Sequence, residues 1–415
     1  MPAIISHPEK QRVSLRSLPR NVWVVTATSF LTDISTEMII NLIPLFLANV
    51  LGVRTGIIGL IEGIAETTAS LLKVFSGWLS DRLGQRKWLT VAGYALSTLA
   101  KPFLYFATTW GWVLGVRFAD RVGKGVRTAP RDALVADSID QQRRGLAFGL
   151  HRAGDTAGAA VGLLIALAVV WAAQGKGLTL TRETFQTIAL LSIIPAGLAV
   201  LVLALGAQDV PAKVTPRHTS LSLQGFDARF KGFLLIVTLF TLGNSSDAFL
   251  VLRAQERGLS VLGVMGILVT FNLVYTLISG PAGALSDRVG RQKLIVGGWL
   301  AYAVIYLGFA LAGAAWHVWV LFAAYGIYYG MVEGTAKALV GDLVSPEQRG
   351  TAYGVYNAAV GVAALPASLI AGVLWQGIGG WRGLGPSAPF FFGAILALVA
   401  AALLILWLPP RPIAG

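Results

Sequence analysis

The chain has no cysteine in its 415 residues, which excludes a disulfide framework, a thiol nucleophile and any cysteine-ligated metal. Its four histidines, His7, His151, His218 and His317, lie far apart, so a membrane-embedded enzyme would find neither a metal cluster nor a nucleophile-and-base pair among them. No Gly-x-x-x-x-Gly-Lys-Ser/Thr loop occurs, which argues against direct drive by ATP. Charge is scarce too: 13% of residues are Asp, Glu, Lys or Arg, while 55% are hydrophobic. Soluble domains carry about 25% charge, so a chain this poor in it belongs in a bilayer. Its apolar stretches lack the period-two alternation of an outer-membrane barrel, which leaves helices as the structure that satisfies its own backbone in hydrocarbon.

What the chain has instead is a series of bilayer-length segments. About twelve apolar runs, the first at Trp23–Val50 and the last at Phe390–Leu406, are long enough to cross the hydrocarbon. The first is too long for a signal peptide, and no small-residue cleavage site follows it. Lys and Arg divide unevenly between the two sets of connecting loops. Eighteen fall on one side, and only Arg54, Lys176, Arg182, Arg257 and Arg382 on the other. By the positive-inside rule the rich side is cytoplasmic and both termini lie there, in a multi-pass protein of the cell membrane, expected to be a bacterial inner membrane. The formal charge of +13 then needs no nucleic-acid partner.

Two phrases recur. Gly77-Trp78-Leu79-Ser80-Asp81-Arg82-Leu83-Gly84-Gln85-Arg86-Lys87 returns about 206 positions later as Gly283-Ala284-Leu285-Ser286-Asp287-Arg288-Val289-Gly290-Arg291-Gln292-Lys293. Asp137 before Arg144-Gly145 returns about 205 positions later as Asp342 before Arg349-Gly350. The chain therefore reads as a duplicated unit, with a bundle at 1–206, a linker at 207–229 rich in Pro, Ser, Thr and charge, and a second bundle at 230–415.

The repeated phrase resembles the signature of the major facilitator superfamily, Gly-x-Leu-x-Asp-Arg-x-Gly-x-Arg-Lys. Gly77, Leu79, Asp81, Arg82, Gly84, Arg86 and Lys87 fill it, and Gly283, Leu285, Asp287, Arg288, Gly290 and Lys293 fill the echo, with Gln292 at the first basic position. The resemblance implies an all-α membrane protein of twelve transmembrane helices in two pseudo-symmetric six-helix bundles. Such a protein is a monomer in the lipid bilayer that carries a small-molecule solute by alternating access, with the signature residues as a cytoplasmic gate.

Ionisable residues at membrane depth are costly, so each is a functional candidate. Asp33, Glu37 and Asn41 recur every four residues and share one helix face, as do Glu62, Glu66 and Lys73. In the fourth run Arg117, Asp120, Arg121, Lys124, Arg127, Arg131 and Asp132 occupy one arc, which must face the protein interior, either as a solute path or as a ladder of ion pairs with Glu62, Glu66 and Lys101. The fifth run interleaves His151, Arg152 and Asp155 with Gly154, Gly158 and Gly162, a strip for close helix packing. The family's antiporter signature has Pro where Ala159 stands, which weakens an export reading. In the second half Asp247 matches Asn41 by the repeat offset, and Glu333 lies four residues before Lys337.

The expectation is a proton-coupled carrier of a polar, charged or zwitterionic solute, with no resident cofactor or metal. Asp33, Glu37 and Glu66 would carry the proton or cation, Arg121, Lys124 and Arg152 would anchor an anionic part of the solute, and Asp247 and Glu333 would form the opposite wall. A proton-driven multidrug exporter is the alternative, and a channel or membrane enzyme a more remote one.

Overall fold

A computed structural model of the chain describes residues 18–140, 143–210, 223, 225–345 and 348–408, Asp81 by its backbone alone; most of the expected linker lies outside them. Twelve helical spans run through the described residues: α1 (Arg20–Val50), α2 (Thr55–Leu83), α3 (Lys87–Ala100), α4 (Trp110–Asp137), α5 (Arg144–Gln174), α6 (Arg182–Gly206), α7 (Ala228–Glu256), α8 (Val261–Val289), α9 (Arg291–Leu311), α10 (Ala315–Asp342), α11 (Arg349–Gln376) and α12 (Ala388–Trp407). Eight are long and apolar enough on their own to cross a membrane. α3, with 14 residues, is too short alone and continues into a 3-10 turn at Lys101–Leu104. α4 is too charged to face lipid and is held by its neighbours.

The spans pack as two bundles of like design. α1 lies against α5 and α6, and α4 against α2 and α3; in the second half α7 lies against α11 and α12, and α10 against α8 and α9. The Gly154, Gly158 and Gly162 strip is the surface by which α5 seats on α1, as its spacing suggests: a Cβ at these positions would run into the Thr26 side chain or the Phe30 and Ile34 carbonyls. The bundles meet chiefly where α2 crosses α11 and where α5 meets α8.

The repeat is visible atom by atom. Arg86 Nε donates to Asp137 Oδ2 at 3.1 Å, and Arg291 Nη1 lies 2.7 Å from Asp342 Oδ2. Arg144 Nε donates to the Ala136 carbonyl and Arg349 Nε to the Gly341 carbonyl, each at 3.2 Å. Every partner here stands 205 positions from its counterpart, whereas Gly84 and Gly290, which end α2 and α8 with φ of 66° and 93°, stand 206 apart. Glycine is needed at both because the left-handed turn would strain a side chain. The second loop is therefore one residue shorter. This corrects the expectation at Gln292: the first basic residue of the echo is not lost but moved to Arg291. Both ion pairs join residues of a single half, fastening the loop after α2 or α8 to the end of α4 or α10.

Contacts across the seam gather at the face remote from these loops, hereafter the far face. Gly56 abuts Gly372 backbone to backbone, Gly59 meets the Ser368 carbonyl and Gly63 meets Leu365. Arg54 donates to the Gln376 carbonyl at 2.9 Å, Gln255 to the Leu178 carbonyl at 2.8 Å, and the Val261 amide to the Gly177 carbonyl at 3.2 Å. Toward the signature face, side chains on the seam-lining helices, Lys124, Arg152 and Lys337, are exposed. The seam is shut on the far face and opens toward the signature loops.

Candidate functional site

At the seam, midway along the helices, lies a cavity of about 430 Å³ lined from both halves. Two interrupted helices frame it. α1 stops at Ile40, turns through Asn41 and Leu42, and restarts at Ile43, where Pro44 is tolerated because a first turn has no amide partner to lose. α7 stops at Gly243 and restarts at Ala248, leaving Asn244, Ser245 and Ser246 outside the helix. Interrupted backbone is tolerable at this depth only where protein or a watered cavity satisfies it. The Tyr302 hydroxyl does so here by donating to the freed Gly243 carbonyl at 3.1 Å. Asn41 and Asp247, matched by the repeat, flank the two breaks.

The first half contributes Glu37, Asn41, Glu62 and Glu66 to the lining, and the second Asn244, Asp247, Phe271, Asn272, Tyr325, Tyr329 and Ser368. Asn41 Nδ2 donates to Glu37 Oε2 at 3.0 Å, and the Tyr325 hydroxyl to Asp247 Oδ1 at 3.0 Å. Glu62 and Glu66 are each met from behind by an arginine of α4: Arg117 Nη2 lies 2.6 Å from Glu62 Oε2, and Arg121 Nη1 lies 3.4 Å from Glu66 Oε1 and Nε 3.6 Å from Asp120 Oδ2. Arg127 donates to Ser97 Oγ at 2.6 Å and stacks over Tyr94, and Lys101 reaches Ser35 Oγ at 2.5 Å.

The α4 arc therefore faces inward, as its pattern requires, and much of it is a ladder of ties to α2 and α3. Arg121, expected as a solute anchor, is 1% exposed and stands behind Glu66, outside the residues that line the cavity. Lys124 and Asp33 lie one turn toward the signature face. Lys124 is exposed, Asp33 half-buried, and they are within electrostatic reach of one another.

Glu333 and Lys337 line an adjoining cavity of about 260 Å³, together with Trp299, Tyr328 and Tyr356. There Arg152 of the first half donates to the Tyr275 hydroxyl at 2.8 Å, Tyr275 donates to Glu333 at 2.7 Å, and Lys337 donates to Glu333 at 3.1 Å. This relay crosses the seam on the signature side of the main cavity. The structure brings His151 and Asp155 together, 3.7 Å apart, but to neither cavity. Arg253 is fully buried and caps the end of α9, donating to the Phe309 and Ala310 carbonyls at 3.0 and 2.9 Å.

Two features were missed from sequence. One is the pair of helix breaks, for which the polar run Asn244-Ser245-Ser246-Asp247 was the available signal. The other is the aromatic wall of the second half, in which Phe271, Tyr302, Tyr306, Tyr325, Tyr328 and Tyr329 touch ring to ring. The Tyr328-Tyr329 pair, with Tyr325 three residues before it, pointed to that wall.

Two like six-helix bundles around a polar cavity at their seam, with a broken helix from each, define a multi-pass membrane transporter. The comparisons with known proteins agree. The sequence model of the Major Facilitator Superfamily matches residues 25–252 and 232–415, and the chain belongs to that family. An MFS-type transporter of Methanocaldococcus jannaschii is 34% identical over 404 residues, 96% of this chain and 97% of that protein. The multi-drug resistance efflux pump PmrA of Streptococcus pneumoniae is 25% identical over 297 residues, 69% of this chain and 72% of that one. In fold, a mutant of the nucleoside transporter NupG superposes with a TM-score of 0.78 at 14% identity, covering 94% of this chain and 100% of that chain.

Proposed function

We propose that the protein is a proton-coupled secondary transporter that moves a small polar or charged solute by alternating access. The observation that carries this reading is the cavity itself, lined by carboxylates from both halves, closed toward the far face and open toward the signature loops. Rocking the bundles about the α2–α11 and α5–α8 contacts would exchange the open side. Asp33, Glu37 and Glu66 are the proposed proton carriers, because carboxylates in a partly dry chamber exchange protons as solvation changes. The Arg152–Tyr275–Glu333 relay is proposed as a contact made and broken in the cycle.

The basic loops argue for a cytoplasmic signature face, hence an inward-open arrangement with both termini inside, in a bacterial inner membrane. The proposed units are the bundles 1–206 and 230–415 joined by 207–229, acting as a monomer. Multidrug export is not favoured: the efflux pump is a distant relative, and Ala159 replaces the antiporter proline.

The test uses purified protein in liposomes holding a pH-sensitive dye, with organic acids, amino acids and organic cations added outside. Solute-linked proton movement is expected in the native protein and absent in Asp33→Asn and Glu37→Gln variants that keep native thermal stability. Native coupling in both variants would remove these residues from the proposed role.

A further inference from the structure

We infer that the solute is an organic cation, held between the Glu37 and Asp247 carboxylates against the aromatic wall of the second half. The inference deepens the transport reading above and rests on it for the identity of the cavity as the solute site. Among the described residues lining the 430 Å³ cavity there is no Lys, Arg or His, while four are Glu or Asp. The four are not equivalent. Glu62 and Glu66 already face arginines at 2.6 and 3.4 Å, so their charges are answered within the protein.

Glu37 and Asp247 make no ion pair among the described residues: their hydrogen bonds come from neutral donors, the Asn41 amide and the Tyr325 hydroxyl, each at 3.0 Å, and Lys124 and Arg121 act on Glu37 only from a distance. They come from opposite halves and stand beside the two helix breaks. Two carboxylates without cationic partners, facing one chamber, favour a positively charged guest and repel an anionic one.

The opposite wall fits the same guest. Phe271, Tyr325 and Tyr329 all belong to the lining, with ring centroids 5.4 to 5.5 Å apart, and aromatic rings attract an ammonium or guanidinium group. The volume is within the roughly 300–1,000 Å³ of small-molecule sites and far beyond a bare metal ion. Lys124 is an exposed cation close to the chamber. It lies outside the lining, one turn toward the signature face; it acts on Glu66, Glu37 and Asp33 but not on Asp247, so it does not discharge that side of the chamber.

The decisive probes are an isosteric pair of opposite sign, tetraphenylphosphonium and tetraphenylborate, with tetraethylammonium as a smaller cation, bound to the purified full-length protein. Saturable binding of at least one cation and none of the borate is expected. Asp247→Asn should weaken the cation by about 30-fold or more, as loss of one member of a desolvated charge contact does. Phe271→Ala should weaken it by about two- to tenfold. Glu183→Gln, exposed at the start of α6 and outside the cavity, should change it little.

Binding of the borate in preference, failure of both cations to bind saturably, or native cation affinity in folded Asp247→Asn would each overturn the inference. Reconstituted flux separates it from the transport reading. Cation binding without cation-driven flux would sustain the binding site and remove the carrier, whereas proton-coupled uptake of anions alone would sustain the carrier and overturn the cation.

Discussion

Glu62 and Glu66 lie one helical turn apart on α2, both line the cavity and both face an arginine of α4, yet removing them should have very different consequences. The Glu62 side chain is 7% exposed and Arg117 3%, with 2.6 Å between them, so the pair is a dry tie between α2 and α4. Glu62→Gln leaves Arg117 charged, buried and without its counter-ion. Breaking such a pair from one side costs about 3–5 kcal/mol.

The Glu66 side chain is 45% exposed, its contact is 3.4 Å, and Arg121 keeps Asp120 at 3.6 Å when Glu66 is neutralised. Its loss should cost no more than about 1 kcal/mol, because the glutamate is half in solvent and Arg121 keeps a second counter-ion. The readout is thermal unfolding in detergent, followed by the emission of the twelve tryptophans. Glu62→Gln should lower the midpoint by several degrees and Glu66→Gln by about one degree or less. In the double variant Glu62→Gln with Arg117→Met most of the loss should return, because no buried charge is then left alone. Equal loss in the two single variants, or no recovery in the double, would refute the distinction between a structural and a cavity-facing glutamate.

Two further outcomes follow from packing and from the seam. Gly158→Val should destabilise the first bundle by about 1–3 kcal/mol, since its side chain would meet the Phe30 carbonyl on α1; a native unfolding midpoint would show that α5 does not seat there. Because the chain has no cysteine, a single introduced one is the sole thiol. Cysteine at Thr55, which is 5% exposed at the α2–α11 contact, should resist a membrane-impermeant maleimide, while cysteine at exposed Lys337 should react fast. The reverse pattern would mean that the far face, not the signature face, is open.

Spans, duplication and the inward turn of the α4 arc were readable because bilayer energetics leave few alternatives: long apolar runs must be helices, and seven charges on one arc cannot face lipid. The glycine strip of α5 was readable for a similar reason, since spacing four puts small residues on one line. Which charges are spent within the protein was not readable. Arg121 and Lys124 are three residues apart on one arc, yet one stands behind Glu66 and the other is exposed toward the signature face. The shift from Gln292 to Arg291 is hidden in the sequence because the loop is one residue shorter in the second copy, so no single offset runs through the motif. The helix breaks escaped because periodicity averages over a window longer than three residues.

Carrying the 205-residue register through the second copy sets α4 beside α10 position by position. Arg117 then corresponds to Phe322, Asp120 to Tyr325, Arg121 to Gly326 and Lys124 to Tyr329. Matched positions thus carry charge in one copy and mostly aromatic rings in the other. The twofold relation survives in the backbone and has been erased from the chemistry, so a guest lodged between the copies cannot be flipped end for end and find the same surroundings.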